Sequence, residues 1–372
     1  MNYIETIFVG LGLTLTSIFT SCSTTSNDLL TIDISNLENN ECIVDGNDIF
    51  SKIENIKIET NDSCLMNSPS ILSFDDENIF LKGYDDIKKF DREGLFKCNI
   101  GKRGHGYGEY VNASSAYYCS ARQLFFLGTF GDEVYKYDIN GKYIGKFSVA
   151  SSDERLMTSK WCEPLGLYVC ETRRYRSDGL DVYLSTWTMD GKKVASYPVY
   201  SDNLTTECNF THTGSMRNTS EGMLFMLPFD NTVHLLSKEG VSEAFVIDRG
   251  KHTPSRDLVE DNGNSAKLER ECYEIRNWNI TPNYIYIGIS CFRGYRDVII
   301  RRTDNAIIHN KYYSYKEDEG TQHLRLKELS DKASFWPWIY KDGKVAGLVE
   351  NEDKRLNPIL VIATEKPNTI TK

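Results

Sequence analysis

Four glycines fall within the eight residues Gly101-Lys102-Arg103-Gly104-His105-Gly106-Tyr107-Gly108, with Glu109 directly after them. Clustered glycines let backbone amides wrap a phosphate. A dinucleotide site or a P-loop also needs a helix N-terminus behind the loop, and a P-loop needs Gly-Lys-Ser/Thr. Here Tyr110 to Cys119 is aromatic and strand-like, so the stretch reads as a crossover between strands, its glycines supplying left-handed turns. Such a crossover places Arg103, His105, Tyr107 and Glu109 as candidate ligand contacts. A second constellation, Arg173-Arg174-Tyr175, carries guanidinium forks that match a carboxylate or sulfate. The third is Trp336 and Trp338, two residues apart and so on one face of a strand, where indole rings stack on sugars or apolar groups. The plain alternatives are solvated loop charge for the arginines and sheet-to-sheet packing for the indoles.

Other catalytic constellations are missing from the sequence. The six histidines form no His-x-His, His-x-x-x-His or His-Glu-x-x-His, so no metal site is expected. No Gly-x-Ser-x-Gly marks a serine nucleophile, no Cys-x-x-Cys marks a redox pair, and Asp75-Asp76-Glu77 and Asp85-Asp86 lack calcium-loop spacing. No cofactor and no catalytic residue is therefore assigned. The net charge of −10 gives nucleic acid no basic surface to bind.

The elements that must position the candidates announce themselves by repetition. Phe90 to Gly94, Tyr137 to Gly141, Thr188 to Gly191 and Ser237 to Gly240 each end a strand in a polar turn closing on glycine. Gly94, Gly141, Gly191 and Gly240 stand 47, 50 and 49 residues apart, the period of a four-stranded propeller blade. Weaker echoes follow at Thr303-Asp304-Asn305 and Lys341-Asp342-Gly343. The fold expected is all-β: a six-bladed β-propeller of four-stranded antiparallel blades over residues 43–365, with a tail at 366–372. Strand Ile53 to Thr60 has no blade of its own and is expected to close the ring by joining the last one. Apolar patterning places later blades at Leu167 to Tyr200, Met223 to Ile247, Tyr284 to Tyr315 and Ser334 to Ala363. Asp248 to Ile275 reads as an insertion with a short helix from Ser265, and Gln322 to Lys332 as a second helical excursion.

At the N-terminus, Ile7 to Phe19 is an uncharged run too short to span a bilayer, followed by Thr20-Ser21-Cys22. It resembles the lipobox of bacterial lipoproteins. That resemblance implies a signal peptide over 1–21, a diacylglycerol on Cys22, a tether over 22–42 and attachment to the membrane through acyl chains. Glu5 without any Lys or Arg before the run, and Phe19 in place of leucine, depart from the pattern. With Cys22 set aside, nine cysteines remain, and an oxidising compartment permits one or two disulfides among them.

The run Ile87 to Phe96 leading into Ile100-Gly101-Lys102-Arg103-Gly104-His105-Gly106-Tyr107-Gly108-Glu109-Tyr110, with Phe245 to Gly250 further on, is similar to a family of six-bladed propeller lipoproteins of Bacteroidetes related to NHL-repeat propellers. The family usually has proline where this chain has Tyr107. The resemblance implies an outer-membrane lipoprotein of the cell envelope, periplasmic or surface-exposed, and brings little chemistry with it. The function expected is a ligand- or protein-binding module whose partner is a glycan, peptide or envelope protein. The alternative is a glycan hydrolase or lyase with carboxylates from separate blades meeting at the axis. An enzyme would turn two or three carboxylates, or an Asp/His group, into an axial pocket.

Overall fold

The computed structural model describes residues 29–84, 86–113, 115–129, 132–149, 154–203, 214–256, 258, 265–314, 323–329 and 335–367. Two N-terminal strands, β1 (Thr31–Asp33) and β2 (Phe50–Lys57), flank a one-turn helix α1 (Gly46–Ile49). Blade 1 comprises β3 (Ser70–Phe74), β4 (Asn78–Lys82), β5 (Ile87–Asp91) and β6 (Phe96–Asn99). Blade 2 comprises β7 (Ser115–Cys119), β8 (Leu124–Gly128), β9 (Glu133–Asp138) and β10 (Tyr143–Ser148). Blade 3 comprises β11 (Arg155–Cys162), β12 (Leu167–Arg176), β13 (Gly179–Trp187) and β14 (Lys193–Asp202). Blade 4 is β15 (Ser215–Asn218), β16 (Met223–Met226), β17 (Thr232–Ser237) and β18 (Gly240–Asp248). Helix α2 (Ser265–Glu271) precedes blade 5, which holds β19 (Glu274–Ile280), β20 (Tyr284–Cys291), β21 (Gly294–Arg301) and β22 (Ala306–Ser314). Blade 6 is β23 (Ile339–Lys341), β24 (Lys344–Val349) and β25 (Ile359–Glu365), completed by β2.

Each blade pairs its strands antiparallel in chain order, and the first strands β3, β7, β11, β15, β19 and β23 neighbour one another in a closed ring. The expected six-bladed propeller is therefore the fold. Six apolar clusters hold it together, one between each pair of adjacent blades. Between blades 2 and 3, for example, Phe126 stacks flat on Trp161 with ring centres 4.8 Å apart, inside a cluster that includes Val134, Tyr168 and Trp187. The middle strands are buried on both faces, as in β16, while outer strands such as β14 alternate exposed and half-buried residues. Closure works as expected: β2, from the start of the chain, pairs antiparallel with β25 near its end. Phe50 and Ile56 carry β2 into the clusters on either side of blade 6.

The repeated glycines acquire a physical reason. Gly94, Gly141, Gly191 and Gly240 all have positive φ in the turn that leads into the outermost strand of blades 1 to 4. A Cβ on Gly94 or Gly141 would also collide with the carbonyl oxygen of Lys57 or Asn99, at the end of the preceding blade's outer strand. Asn305, also at positive φ, holds the corresponding turn of blade 5. Gly343 departs from the pattern because it joins the first two strands of blade 6, β23 and β24. That blade has no turn into its outermost strand, since β25 and β2 come from opposite ends of the chain.

Several local expectations change. Segment 29–42, assigned to the tether, is built onto the propeller from β1 onward: β1 extends blade 4 by pairing parallel with β18, and Ile32, Ile34 and Leu37 are buried against blades 4 and 5. Asn310 Nδ2 donates to the carbonyls of Leu37 and Asn40, both at 2.7 Å, so buried hydrogen bonds fasten the strap. The helix from Ser265 stops at Glu271, and Glu274 to Ile280 is β19. Residues 323–329 contain turns and a bridge from Leu324 to Phe335 rather than a helix. Cys42, Cys64, Cys98, Cys119, Cys162, Cys170, Cys272 and Cys291 are free thiols; Cys22 and Cys208 lie outside the described residues.

Candidate functional site

The three constellations singled out in the sequence sit apart from one another. The glycine-rich crossover from β6 to β7 lies against the outer part of blade 2: Tyr137 donates its hydroxyl to the Gly108 carbonyl at 3.0 Å, and Tyr107, 96% exposed, meets the edge of Tyr143. Within it Arg103 donates through Nε to the Val111 carbonyl, and His105 is exposed. Glu109 accepts from the Gly106 amide and pairs with Lys102 at 2.8 Å; that ammonium, chiefly, holds its carboxyl below the usual range. The loop thus closes on itself.

Arg173, Arg174 and Tyr175 occupy the end of β12. Arg173 is buried and ion-paired with Glu171 at 2.8 Å, and Glu171 also accepts the Gly214 amide at 2.7 Å. Arg174 pairs with Glu154 at 3.5 Å and lies over the Tyr183 ring, while Tyr175 packs half-buried between blades 3 and 4. Trp336 is core, edge-on to Tyr286 between blades 5 and 6, whereas Trp338 is 45% exposed just before β23. Cys22 lies outside the described residues.

The chemistry gathers instead at the axis, in a cavity of about 450 Å³ lined by Lys82, Ser115, Lys160, Arg217, Glu274 and Arg276 together with neighbouring residues. Topology fixes its place. In an antiparallel blade the first strand begins on the face where the second strand ends, and the lining includes the first residues of β7, β15 and β19 and the last residue of β4. The cavity therefore opens on that face of the ring, walled mainly by inner strands of blades 2 to 5.

Its charge is lopsided. Lys160 Nζ donates to the Met216 carbonyl at 3.4 Å and lies 5.6 Å from the centre of the Tyr117 ring. Burial, reinforced by the nearby Arg217 charge, pushes the Lys160 ammonium down to about 7. Arg217 donates to the carbonyls of Met216 and Trp278 and to Asn277 Oδ1 and lies over the Trp278 ring; burial pushes it down to about 10. Lys82 is likewise lowered by burial. Arg276 has a carboxylate partner, Glu274, at 2.9 Å. Among the described residues, no carboxylate pairs with Lys82, Lys160 or Arg217. Partly desolvated cations held by neutral dipoles form a site poised for an anion. The lining hydroxyls make a chain, Ser115 to Ser159 at 3.2 Å and Ser159 to Tyr168 at 2.8 Å, that contains neither imidazole nor carboxylate.

Lys160, Arg217 and Arg276 were missed because their strands β11, β15 and β19 fell in gaps of the apolar pattern. One signal was present: these three basic residues stand 57 and 59 residues apart, about one blade each.

The chain belongs to the family described as a domain of unknown function, DUF4934, whose profile matches residues 29–362. No curated protein matches the sequence. Among solved structures, a protein of Bacteroides fragilis described as exported superposes with a TM-score of 0.65 at 14% identity, covering 91% of this chain and 100% of that chain. The structure of U3-55K aligns at a TM-score of 0.40 and 11% identity, over 79% of this chain and 84% of that chain.

Proposed function

We propose that this protein is a binding module of the bacterial cell envelope that captures an anionic ligand in the axial cavity. The observation that carries this reading is the cluster of Lys82, Lys160 and Arg217, drawn from three blades to one cavity, with Lys160 and Arg217 held there by neutral groups. The overall charge of −10 does not oppose it. At physiological ionic strength charges beyond about 8 Å are largely screened, so an ion in the cavity responds mainly to the cations lining it.

Export is supported by the signal-like N-terminus and by the description of the Bacteroides fragilis neighbour as exported. We place the protein on the outer membrane, tethered through lipid on Cys22. Among the described residues no helix is long and apolar enough to cross a membrane. Catalysis at the axis finds less support than binding. Among the described residues the lining supplies a single carboxylate, Glu274, already paired with Arg276, where glycoside hydrolysis needs two.

The test is titration of the mature chain with a panel of anionic and neutral glycans, peptides and small acids. Arg217→Gln and Lys82→Gln are run beside the parent, with thermal melts to confirm folding. An anionic ligand whose affinity falls at least tenfold in both variants supports the reading. Turnover of a ligand, or affinity unchanged in both, overturns it.

A further inference from the structure

The cations around the axis differ in how firmly they hold their charge. Arg217 keeps its positive charge at neutral pH, since burial lowers it only to about 10, and burial lowers Lys82 as well; Lys160 lies close to Arg217, donates to the Met216 carbonyl and faces the Tyr117 ring. The strands around Lys160 offer it neutral groups and like charges, the one carboxylate among the described lining residues being engaged by Arg276. Strand β7 presents Tyr117, β15 presents Arg217, β4 brings Lys82 to the lining, and β19 brings Arg276 together with Glu274, which Arg276 engages. An empty cavity therefore favours loss of one proton, and the group best placed to lose it is the lysine amine rather than a guanidinium. A ligand with a single charge leaves most of this repulsion in place. One with two or more charges offsets Arg217 and Lys82 and still stabilises an ammonium beside them.

We propose, building on the anion-binding reading above, that the cavity selects multiply charged oxyanions such as pyrophosphate or a tricarboxylate, and that Lys160 takes up a proton from solvent as the ligand binds. The proton balance is simple: one proton moves from water or buffer to Nζ for each ligand that finds the amine neutral, and no bond of the ligand breaks. The cavity, at about 450 Å³, suits a small polyanion or the charged end of a larger molecule. Because burial brings Lys160 down to about 7 in the free protein, proton uptake on binding should be larger at pH 8 than at pH 6. The proton taken up by Lys160 should favour binding as pH falls from 8 to 7, while toward pH 6 protonation of pyrophosphate or citrate itself works against it.

The experiment is isothermal titration calorimetry of the mature chain with pyrophosphate, citrate and acetate. It is run at pH 6 and pH 8 in pairs of buffers that differ in ionisation enthalpy, and repeated for Lys160→Gln, Arg217→Gln and Lys82→Gln. Pyrophosphate or citrate binding at least tenfold tighter than acetate, with proton uptake at pH 8 that disappears in Lys160→Gln, is the expected result. If acetate binds as tightly as citrate, or no proton is taken up while Arg217→Gln and Lys82→Gln still weaken binding, this inference falls and the anion site stands. If none of the three anions binds, or all variants bind like the parent, the anion-site reading falls with it.

Discussion

The inner and outer rings of the propeller are built on opposite principles. Outer strands such as β6, β10 and β14 alternate exposed and half-buried residues, and glycine turns seat the outer edges of blades 1 and 2 against the blade before. Inner strands β11, β15 and β19 instead place Lys160, Arg217 and Arg276 toward the axis, where charge is costly unless something binds it. The outer ring is where the fold is fastened. The inner ring gives up some of that stability for a cavity with unbalanced charge. Substitutions at the two rings should therefore separate: outer changes act on folding and leave binding affinity alone, while inner changes act on affinity and barely touch, or even raise, stability.

The largest effect should come from removing the clasp. Deleting residues 50–57 takes away β2, exposes the edge of β25 and opens both clusters that flank blade 6. We expect loss of the cooperative thermal transition by circular dichroism; a deletion variant that melts as sharply as the parent would show that the ring does not need closing. Next in size is Arg173→Met, which leaves the fully buried Glu171 carboxylate without its partner. Breaking such a pair from one side costs about 3–5 kcal/mol. Urea unfolding should show that loss, and the double variant Glu171→Gln with Arg173→Met should recover most of it.

A matched pair of glycines sharpens the comparison further. Gly141 and Gly343 share a φ of 79°, yet a Cβ on Gly141 runs into Asn99 of the neighbouring blade and one on Gly343 meets nothing within 4 Å. Alanine at Gly343 should cost only the left-handed strain, about 1 kcal/mol. Alanine at Gly141 should cost roughly 2–3 kcal/mol, because strain and collision add. Equal losses in urea unfolding would mean that the outer turns do not lock one blade to the next.

These two rings also explain what could be read in the sequence. Blade number, the closing strand and the turn period were legible because outer and middle strands obey short-range rules: aromatic or apolar runs and a glycine wherever φ is positive. The inner strands obey a different constraint. Ser215-Met216-Arg217-Asn218 and Glu274-Ile275-Arg276-Asn277 mix charge with apolar residues, since one side faces a polar channel and the other a neighbouring blade, so neither reads as a strand in isolation. The same reasoning explains why the conspicuous clusters do not line the axial cavity. Glycines and arginines adjacent in sequence were serving local turns and ion pairs, as in Gly101 to Glu109 and Glu171 to Arg173. The cavity takes its basic residues singly from separate blades.

The last effect is the most discriminating, because its sign opposes the usual outcome of core substitution. In the folded chain the Lys160 ammonium is disfavoured, with its titration brought down to about 7, whereas in the unfolded chain it titrates near 10.4. Between those values the unfolded state binds more protons, so this residue's cost to stability is fully present below pH 7 and fades as pH rises toward 10. Lys160→Met should therefore be more stable than the parent at pH 6.5, with the gap closing by pH 10, while losing affinity for the anion. Urea unfolding at pH 6.5, 8 and 9.5 measures the gap directly. A difference that stays constant across that range would mean that the amine keeps its proton throughout, and that the inner ring carries its charge without sacrificing stability for it.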